Sequence, residues 1–577
     1  MENPDRIKKT CNYNGVQLET VWLKTKRPYT EGDEVPEELK ATHRLHRPFH
    51  PRTYNPIPEI ICHQDVGVKM RDGTTIYCDI YRPVDVEKVP VIISWSYFGK
   101  RPIPGHAFLY HIGVPAGTTS EMCKFESPDP GFWCRNGYAV ANVDPRGVGF
   151  SEGDLTFYGK ADAQDGYDFV EWVAAQEWCT GAVGMAGNSQ VAICQWFIAA
   201  EQPPHLLAIA PWEGSCDKYR ESMYEGGVPA VDFNCWLQNS LIGQGYVDDM
   251  KENAKLYPFI NEYWEDKAAK LENVRIPCYM TVSWSHFHMH GVFEAFRRIR
   301  TPRKWLRAHR EFEWPDAYSH CNLEDLRIFF DRYLKNINNG WELTPRVRLD
   351  VMDAYDYDYQ LHRAELEFPL ERTQYTRYYL DAENMTMGLQ PFEKEAKVSY
   401  DAKEGVVCFD MAFDEETELT GYMKLHLWVE AEGNDEMDLF INIQKADENG
   451  KWLPTLTLDE PHPGQWGKQR VSRRALDETR STDYHPVLLQ QYEEKLKPGE
   501  IVPVEISIWP SCKIWHKGQK LRVQIAGHYI REGWFEPLRW ETDNVGRHVI
   551  HTGGQYDSYL LAPVIPARYT AKGYTYR

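Results

Sequence analysis

The sequence contains no uninterrupted apolar run of the ~18 residues a membrane-crossing helix requires. Its best candidates, Val89–Trp95 and Leu206–Trp212, are only strand-length. The first ten residues, Met1–Thr10, are polar and charged and lack the apolar core of a secretory signal, so a cytoplasmic protein is expected. The 13 cysteines are scattered with no close pair such as C-x-x-C, which argues against a disulfide framework or a zinc ribbon. Positive charge is also in short supply. Lys and Arg number 65 against 85 Asp and Glu, a net charge of −20. Such a chain is ill-suited to hold nucleic acid or an anionic membrane by charge. There is no solenoid-period repeat and no phosphate loop, and Gly147-Val148-Gly149 lacks the spacing of a dinucleotide site. No cofactor is expected.

What remains is ordinary globular composition, 42% apolar and 26% charged, with a high aromatic share of 13% that includes 20 Trp and 34 Tyr. These suit large cores and sheet faces, or an aromatic-lined pocket. At about 150 residues per domain, 577 residues suggest roughly three to four domains.

Residues 1–60 are polar and proline-rich, with a basic stretch His43-Arg44-Leu45-His46-Arg47, and read as an extended arm. From Asp65 onward, strand-like and helix-like segments alternate. Val66–Met70, a turn at Asp72-Gly73 and Thr74–Ile80 form a hairpin. Val89–Trp95, Gly137–Val143, Ala182–Ala186 and Leu206–Pro211 read as buried strands, and Ala161–Gln176 and Ala192–Ala200 as helices. Residues 61–214 are thus the first part of an α/β core with a mostly parallel sheet. Residues 215–275 lack strand-like runs and read as an inserted helical cap. The core resumes over 276–340 with Ile276–Trp284, Arg303–Ala308 and a helix at Glu324–Lys335. Residues 341–577 carry short alternating segments separated by Gly, Pro, Asn and Asp, an all-β domain of sandwich or jelly-roll type.

The sharpest chemical signal is Gly184-Met185-Ala186-Gly187-Asn188-Ser189-Gln190-Val191. A strand ends, a glycine precedes Ser189 by two, and a helix follows at once, the context of a nucleophile elbow. The helix start aims N–H groups at the site, which suits a developing oxyanion. Val191 stands where G-x-S-x-G has its second glycine. A serine that merely caps the helix is the competing reading.

Several ordered stretches give the chain a recognisable likeness: Met70–Gly73 with Tyr81-Arg82-Pro83, Tyr97–Lys100, Gly137–Val140 leading to Asp144–Gly153, the Ser189 elbow, Phe329–Lys335 and Lys517–Val523. Over roughly residues 60–570 the chain resembles the cocaine esterase and X-prolyl dipeptidyl-peptidase family of α/β-hydrolases. That resemblance implies an α/β-hydrolase core with inserted helical cap and C-terminal jelly roll, no metal, and hydrolysis of esters or amides by a Ser-His-Asp triad. Ser189 matches the nucleophile. Tyr97 matches the tyrosine whose hydroxyl helps form the oxyanion hole, with the backbone N–H of Gln190 as the other donor.

The other triad positions depart from the family pattern. Its Asp follows a strand-end Trp in a Gly-Trp-x-Asp pattern; here the segment is Ser283-Trp284-Ser285-His286-Phe287-His288-Met289-His290. Its His lies in a Gly-Pro-Trp-x-His loop; here that stretch is Leu306–Trp314, with His309 about three residues early. A triad is defined by roles, not positions. His309 is the first candidate base and His288 the second. Glu213, just past the strand Leu206–Pro211, is the first candidate acid, with Asp316 and Glu313 as others. Trp212, Trp284 and His286 are candidate substrate-binding residues. The run His286, His288, His290 also raises metal binding, since alternate residues of an extended strand share a face; a polar pocket wall is the simpler reading.

The expected function is a serine hydrolase that cleaves an ester or amide of a small, hydrophobic or aromatic acyl substrate through an acyl-enzyme on Ser189. The departures from the triad leave an alternative, a hydrolase-fold enzyme that catalyses a non-hydrolytic cyclisation, elimination or rearrangement. A third reading is a binding protein that uses its β domain. A peptidase would need an anionic group for a substrate amine, for which Glu213 is available. A homo-oligomer is compatible with the large β-domain surface.

Overall fold

The computed structural model describes residues 5–29, 34, 49–102, 112–230, 232–458, 460–530, 540, 542–569 and 575–576. The basic stretch at residues 43–47 lies outside them. The segment expected to be an extended arm contains a β-hairpin instead. Strands β1 (Arg6–Tyr13) and β2 (Val16–Lys24) pair antiparallel about Asn14-Gly15, both at positive φ, and β2 continues onto a short strand of the cap. Alternation of inward residues such as Tyr13, Thr20 and Trp22 with outward polar ones explains why this polar stretch forms strands.

The core is a twisted mixed sheet. It comprises β3 (Arg52–Ile57), β4 (Ile60–Lys69), β5 (Thr75–Pro83), β6 (Val89–Trp95), β7 (Ala139–Asp144), β8 (Cys179–Asn188), β9 (Leu206–Trp212), then, beyond the cap strand β10 (Tyr246–Asp248), β11 (Cys278–Ser283), β12 (Lys304–His309) and β13 (Val347–Met352). Its spatial order is β3-β4-β5-β7-β6-β8-β9-β11-β12-β13. The first four are joined antiparallel and every later pair is parallel. All seven residues of β6 and all six of β7 and β11 are buried, as strands covered on both faces must be.

Helices α1 (Pro130–Arg135), α2 (Lys160–Ala174) and α3 (Gln190–Ala200) flank the first half of the sheet. The pleat divides the core by alternation. Val91, Ile93 and Met185 pack with Phe169 of α2 and Ile193 of α3 on one face, while Ile92, Val140 and Ala208 pack on the other with Trp133 of α1 and a later helix's Phe329 and Phe330. Every residue of α3 is buried, which makes the helix behind Ser189 a fixed support.

The cap between β9 and β11 holds short helices, α4 (Asp232–Asn239), α5 (Met250–Leu256) and α6 (Glu262–Asp266), as well as β10. After β11 come α7 (Met289–Arg298), then, past β12, α8 (Glu313–Tyr318) and α9 (His320–Leu334). The sheet does not stop at residue 340, because β13 adds parallel to β12 and touches the C-terminal domain at Met352–Lys513.

That domain is a sandwich of antiparallel ladders. In one, Thr417–Glu432 pairs with Val502–Trp515 and with Tyr559–Ile565; in the other, Lys520–Ala526 lies between Val406–Ala412 and Asp438–Ala446. Leu425, Leu427 and Ile506 of the first meet Leu439, Ile441 and Val523 of the second in a common core. Among the described residues no helix is long and apolar enough to cross a membrane.

Candidate active site

Ser189 sits between β8 and α3 with φ 53° and ψ −121°. A non-glycine residue reaches this region only where its surroundings hold it. Its N–H donates to the Trp212 carbonyl at 3.0 Å, and its own carbonyl receives the N–H of Ala192 and Ile193, each at 3.0 Å. Gly187, two residues earlier, has φ 136°, and a Cβ there would lie 2.4 Å from Val191 Cγ1 and 2.7 Å from the Glu126 carbonyl oxygen. The departure from G-x-S-x-G thus has a local cause: Val191 fills the space that Gly187 leaves empty.

The residue facing the elbow is one the sequence did not single out. Glu126, on the loop before α1, is itself at positive φ, 58°, and its carbonyl accepts the Asn188 N–H at 3.2 Å. Its carboxyl faces the Ser189 side chain and the backbone N–H of Gln190, and its Oε1 accepts from Trp314 Nε1 at 3.4 Å. Burial, then the neighbouring Glu313, pushes this carboxyl well above the usual carboxylate range despite those donors. Nothing in the run Cys123-Lys124-Phe125-Glu126 signals this; the placement is purely tertiary. Lys124 beside it is buried with no hydrogen-bond partner for its Nζ among the described residues, and burial pushes its pKa down to about 7.

Glu313, at the start of α8, accepts from Asn188 Nδ2 at 3.0 Å through Oε2, while its Oε1 lies 3.0 Å from His286 Nε2. Burial, then the Glu213 charge, raises it well above the usual range. Glu213, the first candidate acid, follows β9 at positive φ, 58°. Its carboxylate lies between two imidazoles, 2.9 Å from His309 Nε2 and 3.8 Å from His286 Nδ1. Asp316 is 3.3 Å from His309 Nε2 and is gripped by both terminal nitrogens of Arg307 at 2.6 Å. Although burial opposes its charge, Arg307 and His309 hold Asp316 below the usual range. The outer end of this network opens on a cleft of 790 Å³ lined in part by Thr118, Arg307, His309, Asp316 and His362.

Neither candidate base has a lone pair free for Ser189. His309 Nδ1 faces the Glu311 carbonyl at 3.0 Å, so it must carry hydrogen, and Nε2 faces two carboxylates. Burial opposes its charge, but Asp316 and Glu213 more than offset this and raise its pKa; both ring nitrogens face acceptors, which places them as donors. His288 Nδ1 accepts the Ser215 N–H at 3.1 Å, which puts the proton on Nε2. Burial, then His286 and Lys218, keep the ring neutral, so it is a donor.

Other expectations also change. The Tyr97 hydroxyl donates to Asp162 Oδ2 at 2.8 Å and accepts the Tyr158 N–H at 2.9 Å. Both capacities are thus used away from Ser189 in this structure, and the Tyr97 backbone N–H donates to Gln190 Oε1 at 2.9 Å. Trp284 donates to the Asp350 carbonyl at 2.9 Å and stacks on Phe293, and Trp212 packs edge-on against Tyr279 with Arg307 over its ring. Both are core residues rather than pocket walls. His286 belongs to the carboxylate network, stacked on His288 with ring centroids 4.9 Å apart. His290 leaves the group and meets His485 of the β domain. Among the described residues no three His, Cys, Asp or Glu side chains are arranged to hold a metal ion.

A strained serine between a parallel strand and a buried helix, on this core with cap and β sandwich, defines a serine hydrolase of the α/β-hydrolase fold. The comparisons agree. Residues 72–311 match the X-Pro dipeptidyl-peptidase (S15 family), and residues 339–561 match the X-Pro dipeptidyl-peptidase C-terminal non-catalytic domain. A CocE/NonD family hydrolase from Staphylococcus aureus is 36% identical, with a TM-score of 0.83 over 88% of this chain and 94% of that one. The cocaine esterase of Rhodococcus sp. (strain MB1 Bresler) is 26% identical over 378 residues, 55% of this chain and 62% of the esterase. An α-amino acid ester hydrolase shares the fold, at 14% identity and a TM-score of 0.64. The chain belongs to the CocE/NonD hydrolases, the family of cocaine esterase and X-Pro dipeptidyl-peptidase.

Proposed function

We propose that the protein hydrolyses an ester or amide bond of a small molecule through an acyl-enzyme on Ser189. The observation that carries this reading is the backbone of Ser189, which holds the side chain on a sharp turn with the Gln190 N–H at the first position of α3. Ser189 attacks the carbonyl carbon, the Gln190 N–H takes the developing oxyanion, the alcohol or amine departs, and water releases the acyl group. Cocaine esterase, by its name, is such an enzyme.

Labelling with a fluorophosphonate probe, followed by peptide mass spectrometry, tests the assignment. The label is expected on Ser189 and absent from Ser189→Ala, and aryl and alkyl esters are expected to turn over faster than their amides. An unlabelled, folded wild type that hydrolyses none of them would refute the reading.

A further inference from the structure

The attack by Ser189 requires a group that takes its proton, and each nearby imidazole has its lone pair committed. His309 has an acceptor facing each ring nitrogen, and His288 Nδ1 accepts the Ser215 backbone N–H. His286 Nδ1 accepts the His288 N–H at 3.2 Å, so its proton sits on Nε2, facing Glu313. The group left against Ser189 is a carboxyl. Glu126 is fixed from three sides, by the Asn188 N–H on its carbonyl, the Trp314 indole on Oε1, and a glycine at 187 whose missing Cβ makes room for it. Its Oε2 is fully buried and has no hydrogen-bond partner of ordinary geometry among the described residues. Such an acceptor is free to tighten onto Ser189 once substrate is bound.

We propose that Glu126 is the general base of Ser189; this rests on the reading of Ser189 as nucleophile. As Ser189 Oγ bonds to the substrate carbonyl carbon, its proton passes to the Glu126 carboxylate, and the carbonyl π pair moves to the oxygen held by Gln190 N–H. Collapse of the tetrahedral intermediate breaks the bond to the leaving alkoxide or amine, which takes the proton from Glu126. Deacylation runs in reverse, with water giving its proton to Glu126 and Ser189 recovering it. In the free enzyme the carboxyl also faces Gln190 N–H, and the substrate oxygen displaces it there.

The charged and titratable groups around Glu126 are Glu313 of α8, Tyr318 at the end of α8, Tyr158 and, on its own loop, Lys124. The two carboxyls cannot both ionise cheaply in this dry site, so they titrate as a unit. His286 acts through Glu313 and is a positioning residue.

The test is the pH profile of kcat/KM for an ester, with the rate of fluorophosphonate labelling, in wild type, Glu126→Gln, Glu126→Asp and Glu313→Gln. Glu126→Gln is expected to lose about 10²-fold or more in both rates, as loss of a general base does, with KM little changed. Glu126→Asp is expected to recover part of that loss. Glu313→Gln removes the neighbouring charge, so the acidic limb is expected to move to lower pH. That shift decides the matter alone if Glu126→Gln does not fold. A Glu126→Gln enzyme within threefold of wild type, or faster than it, overturns the proposal; in the latter case the carboxyl merely blocks Gln190 N–H. An unmoved limb in Glu313→Gln also overturns it. A wild type that takes no label at Ser189 fails earlier, on the nucleophile itself, and is distinguished by that result.

Discussion

His286 Nε2 and Glu313 Oε1 lie 3.0 Å apart, in reverse of the order that the family pattern leads one to expect. The loop after β11, where the pattern has its acid, carries the imidazole. The loop after β12, where it has its histidine, carries the carboxyl. An imidazole–carboxyl contact therefore survives at the carboxyl edge of the sheet, with the two roles exchanged between neighbouring strands. The exchange brings a carboxyl, rather than an imidazole, beside Asn188 and the elbow.

His286→Leu removes the imidazole that lies 3.0 Å from Glu313 Oε1. The charged form of Glu313 loses that neighbour, so its pKa rises. A Glu313 that stays neutral repels Glu126 less, and the acidic limb of the rate profile is expected to move to lower pH, in the same direction as in Glu313→Gln. Kinetics across pH 4–8 on the two variants check this shared direction.

Gly187→Ala puts a Cβ at 2.4 Å from Val191 Cγ1 and 2.7 Å from the Glu126 carbonyl oxygen, at a φ of 136°. Overpacking plus a strained backbone is expected to cost about 2–4 kcal/mol. Gly187→Ala/Val191→Ala relieves only the side-chain clash, so it should recover part of the stability and little of the activity. Denaturant melts of the three proteins, with esterase assays, separate the two contributions.

The elbow was legible because its cause is local. A glycine, a strand end and a helix start within eight residues can be read without knowing what packs against them. The alternating strands and helices of the core were equally plain, since β6, β7 and β9 are near-continuous apolar runs. The polar arm was misread because β1 and β2 are amphipathic strands that only the cap completes. The acid–base groups were harder still. Glu213 and Glu313 were visible as carboxyls near strand ends, but Glu126 comes from a loop about sixty residues before Ser189, and no pattern in its own segment marks it. Protonation roles were out of reach, since they depend on which neighbour occupies each ring nitrogen.

Asp162 gives the protein a pH-dependent weakness. It is fully buried, and burial, against the donors Trp95 and Tyr97, raises its pKa from 3.8 to about 6. Below about pH 3 the group is protonated in both folded and unfolded chains and has no effect. As pH rises from about 4 to about 6 the unfolded chain ionises first, so stability falls by roughly 3 kcal/mol and then levels off. In Asp162→Asn that fall is absent. The difference between the two unfolding free energies, measured by denaturant at pH 4, 5, 6 and 7, should grow over that window in favour of the variant; a constant difference would contradict a neutral Asp162.

Tyr97→Phe separates the family expectation from the observed geometry. If the hydroxyl served the oxyanion, its loss would reduce kcat by about 10²-fold or more, the usual effect of removing one such donor. Here the hydroxyl is tied to Asp162 and to the Tyr158 N–H, and its absence leaves two buried groups short of a partner. The expected outcome is therefore a loss of about 1–3 kcal/mol in stability with kcat changed by only a few-fold. The variant keeps the ring that packs against Phe157 and Tyr158, and the backbone N–H still holds Gln190 Oε1, so the elbow keeps its shape. A thermal melt and a saturation curve on one ester decide between the two roles. A stable variant with kcat lowered a hundredfold would return the hydroxyl to the oxyanion hole and would require the Tyr97 side chain to turn from Asp162 when substrate binds.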